Sequence, residues 1–249
     1  MKKVINPEYA SMTSEFLEVV KGNYTPDVVF CNKRNVVEKV TVAGEEFVVK
    51  RYKRPILINR IIYCFFRKSK ARRAYEYAVE LLKRGVDTPH PVAYFEQYKN
   101  GLFDCGIFIS KYVPYYLLEN IYEDSVPADE REKILNGFVD FMMSAYEKGI
   151  KPMDMNAGNI FYHKDEVSGE YGFALTDINR MEFDKKPGFY DMVFAFEQCF
   201  AELEKVTDLA RIYADRIGLP TMVVLYYILR NRMKRVKKIQ KFRKLKRKL

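Results

Sequence analysis

The feature that most constrains this chain is a short run, Lys151-Pro-Met-Asp154-Met-Asn-Ala-Gly-Asn159-Ile-Phe, followed by Leu-Thr-Asp177. Asp154 and Asn159 are five positions apart, and Asp177 follows Asp154 by 23. A carboxylate that takes a hydroxyl proton, with an asparagine and a second aspartate that hold magnesium, are the parts of a phosphoryl-transfer site. Magnesium keeps several waters, so two protein ligands plus phosphates suffice. Asp-x4-Asn alone is a weak signal, and polar residues beside Gly158 also cap turns. The order and setting of the other parts give the pattern its weight.

Those parts fall in a recognisable sequence of elements. A helix is expected over 9–21, ending at Gly22-Asn23. Val28-Val-Phe-Cys31 and Val36-Val-Glu-Lys-Val-Thr-Val42 alternate as a hairpin, with Asn32-Lys-Arg-Asn35 between them. A third strand, Phe47-Val-Val-Lys50-Arg-Tyr52, follows the turn at Ala43-Gly44. A helix over 70–84 stops at Gly85, and Thr88-Pro-His-Pro91 is a breaker. Residues 92–97 and 105–111 are two further strands joined by Lys99-Asn-Gly101. The composition then changes. A helix over 127–148 carries an apolar stripe of Ile134, Phe138, Phe141, Met142 and Ala145. A short hairpin over 159–163 and 172–176 follows the Asp154 loop, and the chain is helical from about 190 onward. The expected fold is α+β, with a sheet-rich part over 1–111, a mainly helical part over 112–230 and a basic tail over 231–249.

Charge is distributed unevenly. The net charge is +10, yet residues 231–249 hold eleven Lys/Arg and no acid, so residues 1–230 sum to −1 (10 − 11). A second block, 50–73, has ten Lys/Arg and no acid. Two basic segments on a neutral-to-acidic body suggest a polyanionic partner surface. No stretch approaches the ~18 apolar residues of a membrane span. The first residues lack the apolar core of a signal peptide, so a cytosolic location is expected. Cys31, Cys64, Cys105 and Cys199 form no CxxC pair, and His90 and His163 are isolated, which argues against zinc or a disulfide framework.

The order of these parts resembles the protein-kinase-like fold over most of the chain. The resemblance implies ATP and Mg2+ as cofactors and gives each residue a role. Lys50 would bind ATP from the third strand, and Glu76, on the next helix, would pair with it; a lysine over phosphates needs a carboxylate to hold its flexible stem. Asp154 would be the catalytic base, and Asn159 and Asp177 the metal ligands. Asp191, in Phe-Tyr-Asp191-Met, resembles the aspartate that anchors the catalytic loop from the following helix. Taken singly, Lys50 is also an ordinary solvated lysine and Glu76 an ordinary helix-surface residue.

Departures narrow the resemblance. There is no glycine-rich loop, so phosphate contacts fall to Asn32, Lys33, Arg34 and the amides of their turn. Pro152 stands where a histidine is usual, and the Asp-Phe-Gly triplet is Asp177-Ile-Asn179. Asn156 replaces the lysine that protein Ser/Thr kinases carry two positions after the base. Only 14 positions separate Asp177 from Asp191, leaving almost no activation segment for a peptide substrate. Within the fold, the chain is similar to the lipopolysaccharide core (heptose/Kdo) kinases. Phe47-Val-Val-Lys50-Arg-Tyr52, the basic run through Arg73, Gly85-Val-Asp-Thr-Pro-His-Pro-Val-Ala-Tyr94 and the turn from Asp154 to Asn159 carry the similarity.

That similarity implies phosphorylation of an inner-core sugar hydroxyl at the cytoplasmic face of the inner membrane. The partners implied are the core glycolipid and an anionic membrane surface, with no specific nucleic acid. Residues 58–68 interleave apolar and basic side chains, as an interfacial segment does; equally, they suit a loop that packs Ile and Phe on the core. The tail spaces apolar residues at 229, 236, 239, 242 and 245 among lysines, which suits an amphipathic helix at anionic lipid or a solvated tail. Basic residues also attract RNA. The alternatives are a kinase for protein or another small molecule, and a pseudokinase that only binds.

Overall fold

A computed structural model describes residues 1–33 and 35–246. Arg34, expected at the phosphates, and residues 247–249 of the basic tail lie outside the described residues, as do the side chains of 242–246. The chain divides into two compact units, Met1–Pro114 with Leu175–Asn179 and Tyr115–Ala174 with Arg180–Leu249.

The first unit runs β1 (Lys2–Ile5), a 3-10 turn (Pro7–Met12), α1 (Thr13–Lys21), β2 (Val28–Asn32), β3 (Asn35–Val42), β4 (Glu45–Tyr52), α2 (Leu57–Phe65), α3 (Lys70–Lys83), β5 (Pro91–Lys99) and β6 (Leu102–Lys111). Its antiparallel sheet has the order β1-β5-β6-β4-β3-β2. Two tight turns set the register. Ala43 and Gly44 (φ 50° and 82°) join β3 to β4, and Asn100 and Gly101 (φ 53° and 73°) join β5 to β6. Positive φ at both central residues matches the right-handed twist of a hairpin. The sheet buries Val40, Phe47, Val49, Phe95, Ile107 and Ile109 against Phe16, Val19 and Val20 of α1. The Phe16 ring meets Phe47 edge-on at 5.3 Å.

Helix α3 packs on the sheet through Ala71, Ala74 and Ala78, all buried. Small side chains let the backbones approach. Gly106 of β6 takes part in that approach, because a Cβ there would stand 2.9 Å from the Ala71 Cβ. Gly106→Val is expected to destabilise the protein by ~1–3 kcal/mol, the usual range for overpacking. Urea unfolding checks this; an unchanged midpoint would show that α3 does not need this close approach.

Two segments differ from expectation. The helix expected from residue 9 starts at Thr13, since Tyr9 (φ −112°, ψ 17°) lies within the 3-10 turn. Before it, β1 pairs with β5, and Asn6 extends the tie by donating from its amide to the Val92 carbonyl. Lys2, Lys3 and Val4 are exposed, so this edge strand leaves no alternating pattern in the sequence. Residues 57–65 form α2, with Leu57, Ile58, Ile61 and Phe65 exposed rather than packed on the core.

The second unit runs β7 (Tyr116–Leu117), α4 (Ala128–Glu147), β8 (Lys151–Pro152), β9 (Ile160–Lys164), β10 (Tyr171–Leu175), β11 (Met181–Glu182), α5 (Phe189–Cys199), α6 (Leu203–Arg216) and α7 (Thr221–Lys246). Strands β10, β9 and β7 make one small sheet, and β11 pairs with β8. The apolar stripe of α4 is its core face. Ile134, Phe138, Met142 and Ala145 are buried, with Phe138 against Phe173 and Phe196. Helix α7 continues through residue 246 and is fastened by two arginines. Arg232 donates to the Phe200 and Ala201 carbonyls at 2.9 Å, and Arg235 pairs with the buried Glu197 at 2.8 Å. Burial pushes the Glu197 carboxyl above its ordinary pKa against the pull of both arginines. No described helix is long and apolar enough to cross a membrane.

Candidate active site

In the first unit the site is built on β4. Strand residues alternate between faces, so Phe47 and Val49 enter the core with α1 while Val48, Lys50 and Tyr52 line a cavity. Val37, Phe108, Ser110 and the segment Thr176, Asp177 and Ile178 complete much of its wall, and it encloses ≈ 470 Å³ with its mouth included. The Lys50 Nζ donates to Asp177 Oδ1 at 2.6 Å, with the two side chains 16% and 35% exposed. Asn179 Nδ2 donates to the same oxygen at 2.6 Å. Among the described residues, Oδ2 of Asp177 has no hydrogen-bond partner. A hard oxygen left open beside a lysine suits a divalent cation and phosphate.

Asp177 has φ +50°, an uncommon backbone state for a residue other than glycine. Three hydrogen bonds hold its segment in place. Thr88 Oγ1 donates to the Leu175 carbonyl at 2.7 Å, the Leu175 amide donates to the Asp87 carbonyl at 2.9 Å, and Arg73 Nη1 donates to the Asn179 carbonyl at 2.8 Å. Arg73 is buried, and burial pulls its pKa down. Among the described residues the buried Tyr52 hydroxyl has no hydrogen-bond partner; burial, then the Asp177 charge, pushes its pKa up.

Glu76 does not take the partner expected of it. It accepts from Arg72 Nε at 2.8 Å and Lys68 Nζ at 2.7 Å, while Lys50 pairs with Asp177. Arg72 lies one helical turn before Glu76, a favoured pairing distance on a helix. Burial alone would raise the Glu76 pKa, but the hydrogen bonds from Lys68 and Arg72 bring it below the usual value. Asn32 ends β2 and Lys33 follows it in the turn, both exposed. Neither hydrogen-bonds to Lys50 or Asp177 among the described residues.

In the second unit, alternation also shapes the loop after β8. Met155, Ala157 and Ile160 are buried, which leaves Asp154 and Asn156 exposed. Asn156 caps the turn, its Oδ1 accepting from the Gly158 amide at 2.8 Å. Asn159 Nδ2 donates to the Asp154 carbonyl at 3.4 Å, which leaves its amide oxygen available. Asp154 faces Arg180 at 3.3 Å, an exposed pair. The backbone brings them together, because Met153 donates to the Arg180 carbonyl and β8 pairs with β11. Asp191 of α5 binds Lys151 at 2.6 Å and accepts from the Gly188 amide at 3.0 Å. Its pKa is lowered: burial opposes this, and the Lys151 and Gly188 hydrogen bonds outweigh it.

Sequence reasoning does not single out Arg73, Lys151 or Arg180. Arg73 sits in a basic run that suggests solvent, and its place beside the buried Ala71 and Ala74 is the available signal. Lys151 and Arg180 acquire their positions through strand pairing between distant segments, for which no local pattern exists.

No family model matches the sequence, and no curated protein is significantly similar to it. Among solved structures, that of WaaP in complex with acyl carrier protein matches with a TM-score of 0.59 at 15% identity, covering 94% of this chain and 99% of that one. The MAP kinase LmaMPK10 from Leishmania major matches with a TM-score of 0.47 at 12% identity, over 89% of this chain and 65% of that one. The fold is α+β and protein-kinase-like, β-rich in its N-terminal part and mainly helical in its C-terminal part.

Proposed function

We propose that this protein is an ATP-dependent kinase that phosphorylates a sugar hydroxyl, heptose or Kdo, of the lipopolysaccharide inner core. The observation that carries the phosphotransferase part is the Lys50–Asp177 pair, with its second carboxylate oxygen open in a cavity. The sugar-acceptor part rests on the sequence resemblance and on the short span from Asp177 to Asp191, which is too brief for a peptide platform.

Magnesium–ATP, when bound, supplies the phosphoryl group and the cations that neutralise its charge. Asp177 and Asn159 are the residues that the sequence resemblance would make metal ligands, each through a hard oxygen. Lys50, steadied by Asp177, would bind phosphate oxygens as a point charge. Asp154 accepts the proton of the acceptor hydroxyl, and Arg180 beside it orients the carboxylate. Lys151 and Asp191 hold the start of the Asp154 loop in place. Rate enhancement then comes from positioning and charge.

A second reading is a pseudokinase that does not take up nucleotide, a binding module recruited to anionic membrane or RNA. It is favoured by the plain turn after β2 in place of a glycine-rich loop and by Asp177-Ile-Asn179. Thermal unfolding separates the two. At a hundredfold excess over Kd, a ligand adds ~2.7 kcal/mol, which raises Tm by several degrees in a chain of this size. Magnesium–ATP is expected to give that shift, and ATP with chelator a smaller one. No shift at millimolar magnesium–ATP would remove the kinase assignment. Mass spectrometry of core oligosaccharide made with wild type or Asp154→Ala tests the acceptor. A phosphate present only with wild type is expected; identical spectra would remove lipopolysaccharide as the substrate.

A further inference from the structure

Helix α2 is built with its polar side inward. On a soluble amphipathic helix the apolar stripe faces the core. Here Arg60 is the buried residue, at 8% exposure, and it donates through Nε to the Phe103 carbonyl at 2.6 Å and through Nη2 to the Lys99 carbonyl at 3.3 Å. Cys64 accepts from the Phe103 amide, and the Tyr63 ring meets Phe103 edge-on at 5.2 Å. These contacts fix which way the helix faces. At 100° per residue, Leu57, Ile58, Ile61 and Phe65 fall within one arc of about 100°, and all four are exposed. Ile56 and Phe66 flank them, 69% and 82% exposed. Four large apolar side chains on one arc of a short helix, with two more exposed at its ends, make an apolar surface of the kind that marks an interaction site.

The surroundings select the partner. Lys53 and Arg54 precede the helix, Arg67 and Lys68 follow it, and all four are exposed. The acids near them, Asp104 and Glu76, are engaged by Arg54, Arg60, Lys68 and Arg72. Arg54 and Lys68 are therefore paired, while Lys53 and Arg67, one at each end of the helix, have no carboxylate partner among the described residues; this basic rim disfavours a second copy of this chain, whose matching rim would repel it. The same rim suits an anionic bilayer, where apolar side chains enter the acyl boundary and cations meet headgroups.

We propose that α2 is an interfacial insertion element that seats this protein on an anionic lipid surface through Ile58, Ile61, Phe65 and Phe66. This deepens the functional reading above, since a membrane seat would present the enzyme to a glycolipid. Membrane binding itself requires no catalysis and is measured separately from it. Arg60 is a positioning residue here: its two backbone carbonyl contacts turn the apolar face outward.

The test is co-sedimentation with vesicles of phosphatidylethanolamine mixed with phosphatidylglycerol, against vesicles of phosphatidylcholine. Wild type is expected to prefer the anionic vesicles. The double variant Ile61→Glu, Phe65→Glu is expected to bind at least about tenfold more weakly, as loss of buried apolar area plus charge repulsion requires. Its circular dichroism and unfolding midpoint should match wild type, because both side chains are already exposed. The chain has no tryptophan, so Phe65→Trp provides a single reporter whose emission should shift to the blue on the anionic vesicles. Three results would each overturn the proposal: no wild-type binding, binding by the double variant equal to wild type, or a Phe65→Trp spectrum unchanged by vesicles. Equal binding that disappears in high salt would assign attachment to the basic end of α7 instead. Self-association of the wild type, abolished in the double variant and without vesicle binding, would make the patch a dimer contact. Lost turnover with retained vesicle binding would affect the kinase reading alone.

Discussion

Asp154→Asn is expected to lower kcat by ~10²–10⁴-fold, the range that a positioned general base contributes. Asparagine has nearly the shape of aspartate and can still accept from Arg180, so the loop should keep its conformation. Met155, Ala157 and Ile160 anchor that loop from below and are untouched. The Asp154–Arg180 pair is exposed and long, at 3.3 Å, so its loss should cost no more than ~1 kcal/mol of stability. Nucleotide affinity should therefore stay near the wild-type value while turnover falls. Steady-state kinetics, with nucleotide titration of the same preparation, separates the two quantities. A variant with the wild-type kcat would sink the role assigned to Asp154, and with it the proposed mechanism.

The second large effect is expected at Arg73, with Glu76 as the contrast. Arg73→Met removes the donor to the Asn179 carbonyl, and Asn179 is itself buried. An orphaned buried acceptor costs ~1–3 kcal/mol. That cost falls on the segment that holds Asp177 at its left-handed φ, so it should appear as weaker magnesium-dependent nucleotide binding, roughly 5- to 150-fold. Glu76→Gln removes only a half-exposed pairing with Arg72 and Lys68, and should change affinity by less than about fivefold, in line with ~1 kcal/mol or less for exposed pairs. Calorimetry with and without magnesium measures both. Equal losses in the two variants would mean that Arg73 has no distinct part in supporting Asp177. Arg73→Lys, which keeps a donor but not the planar fork, is expected to fall between wild type and Arg73→Met.

The pairing of Lys50 with Asp177 gives the contrast its physical sense. A part-buried ammonium needs a partner, and here the carboxylate of Asp177 supplies it. Glu76 is already satisfied by cations on its own helix and the turn before it. Arg73 then provides the tie from α3 to the Asp177 segment through a backbone carbonyl rather than through Lys50. Among the described residues, the Nε of that buried guanidinium has no hydrogen-bond partner.

Legibility in the sequence follows the range of the interaction. Elements whose signal is local are legible closely. The β3–β4 and β5–β6 turns need positive φ and have Ala-Gly and Asn-Gly there, and α4 has its apolar residues at helical spacing over twenty positions. The Asp154 loop is legible because its polar residues interrupt an apolar run, and the same alternation buries Met155 and Ala157 in the structure. Elements held by distant partners are not. Strand β1 exists because β5 offers it backbone hydrogen bonds, and its own side chains are mostly exposed. Helix α2 has a strong apolar stripe, which by itself predicts burial of that stripe; two backbone carbonyls near the β5–β6 turn capture Arg60 and reverse it.

The sequence by itself determined the order of most strands and helices, the α+β protein-kinase-like fold and the identity of the residues proposed to carry the chemistry. The first follows from periodicity, turn residues and spacing, which are properties of neighbours along the chain; the other two follow from the resemblance of that order and its motifs to the protein-kinase-like fold. Only the tertiary structure decided which charge meets which. Whether Lys50 binds Glu76 or Asp177, and whether Arg73 and Arg60 face water or the interior, depends on side chains brought together from positions far apart. A long flexible cation can reach several acceptors at similar energetic cost, and packing around the head group selects one.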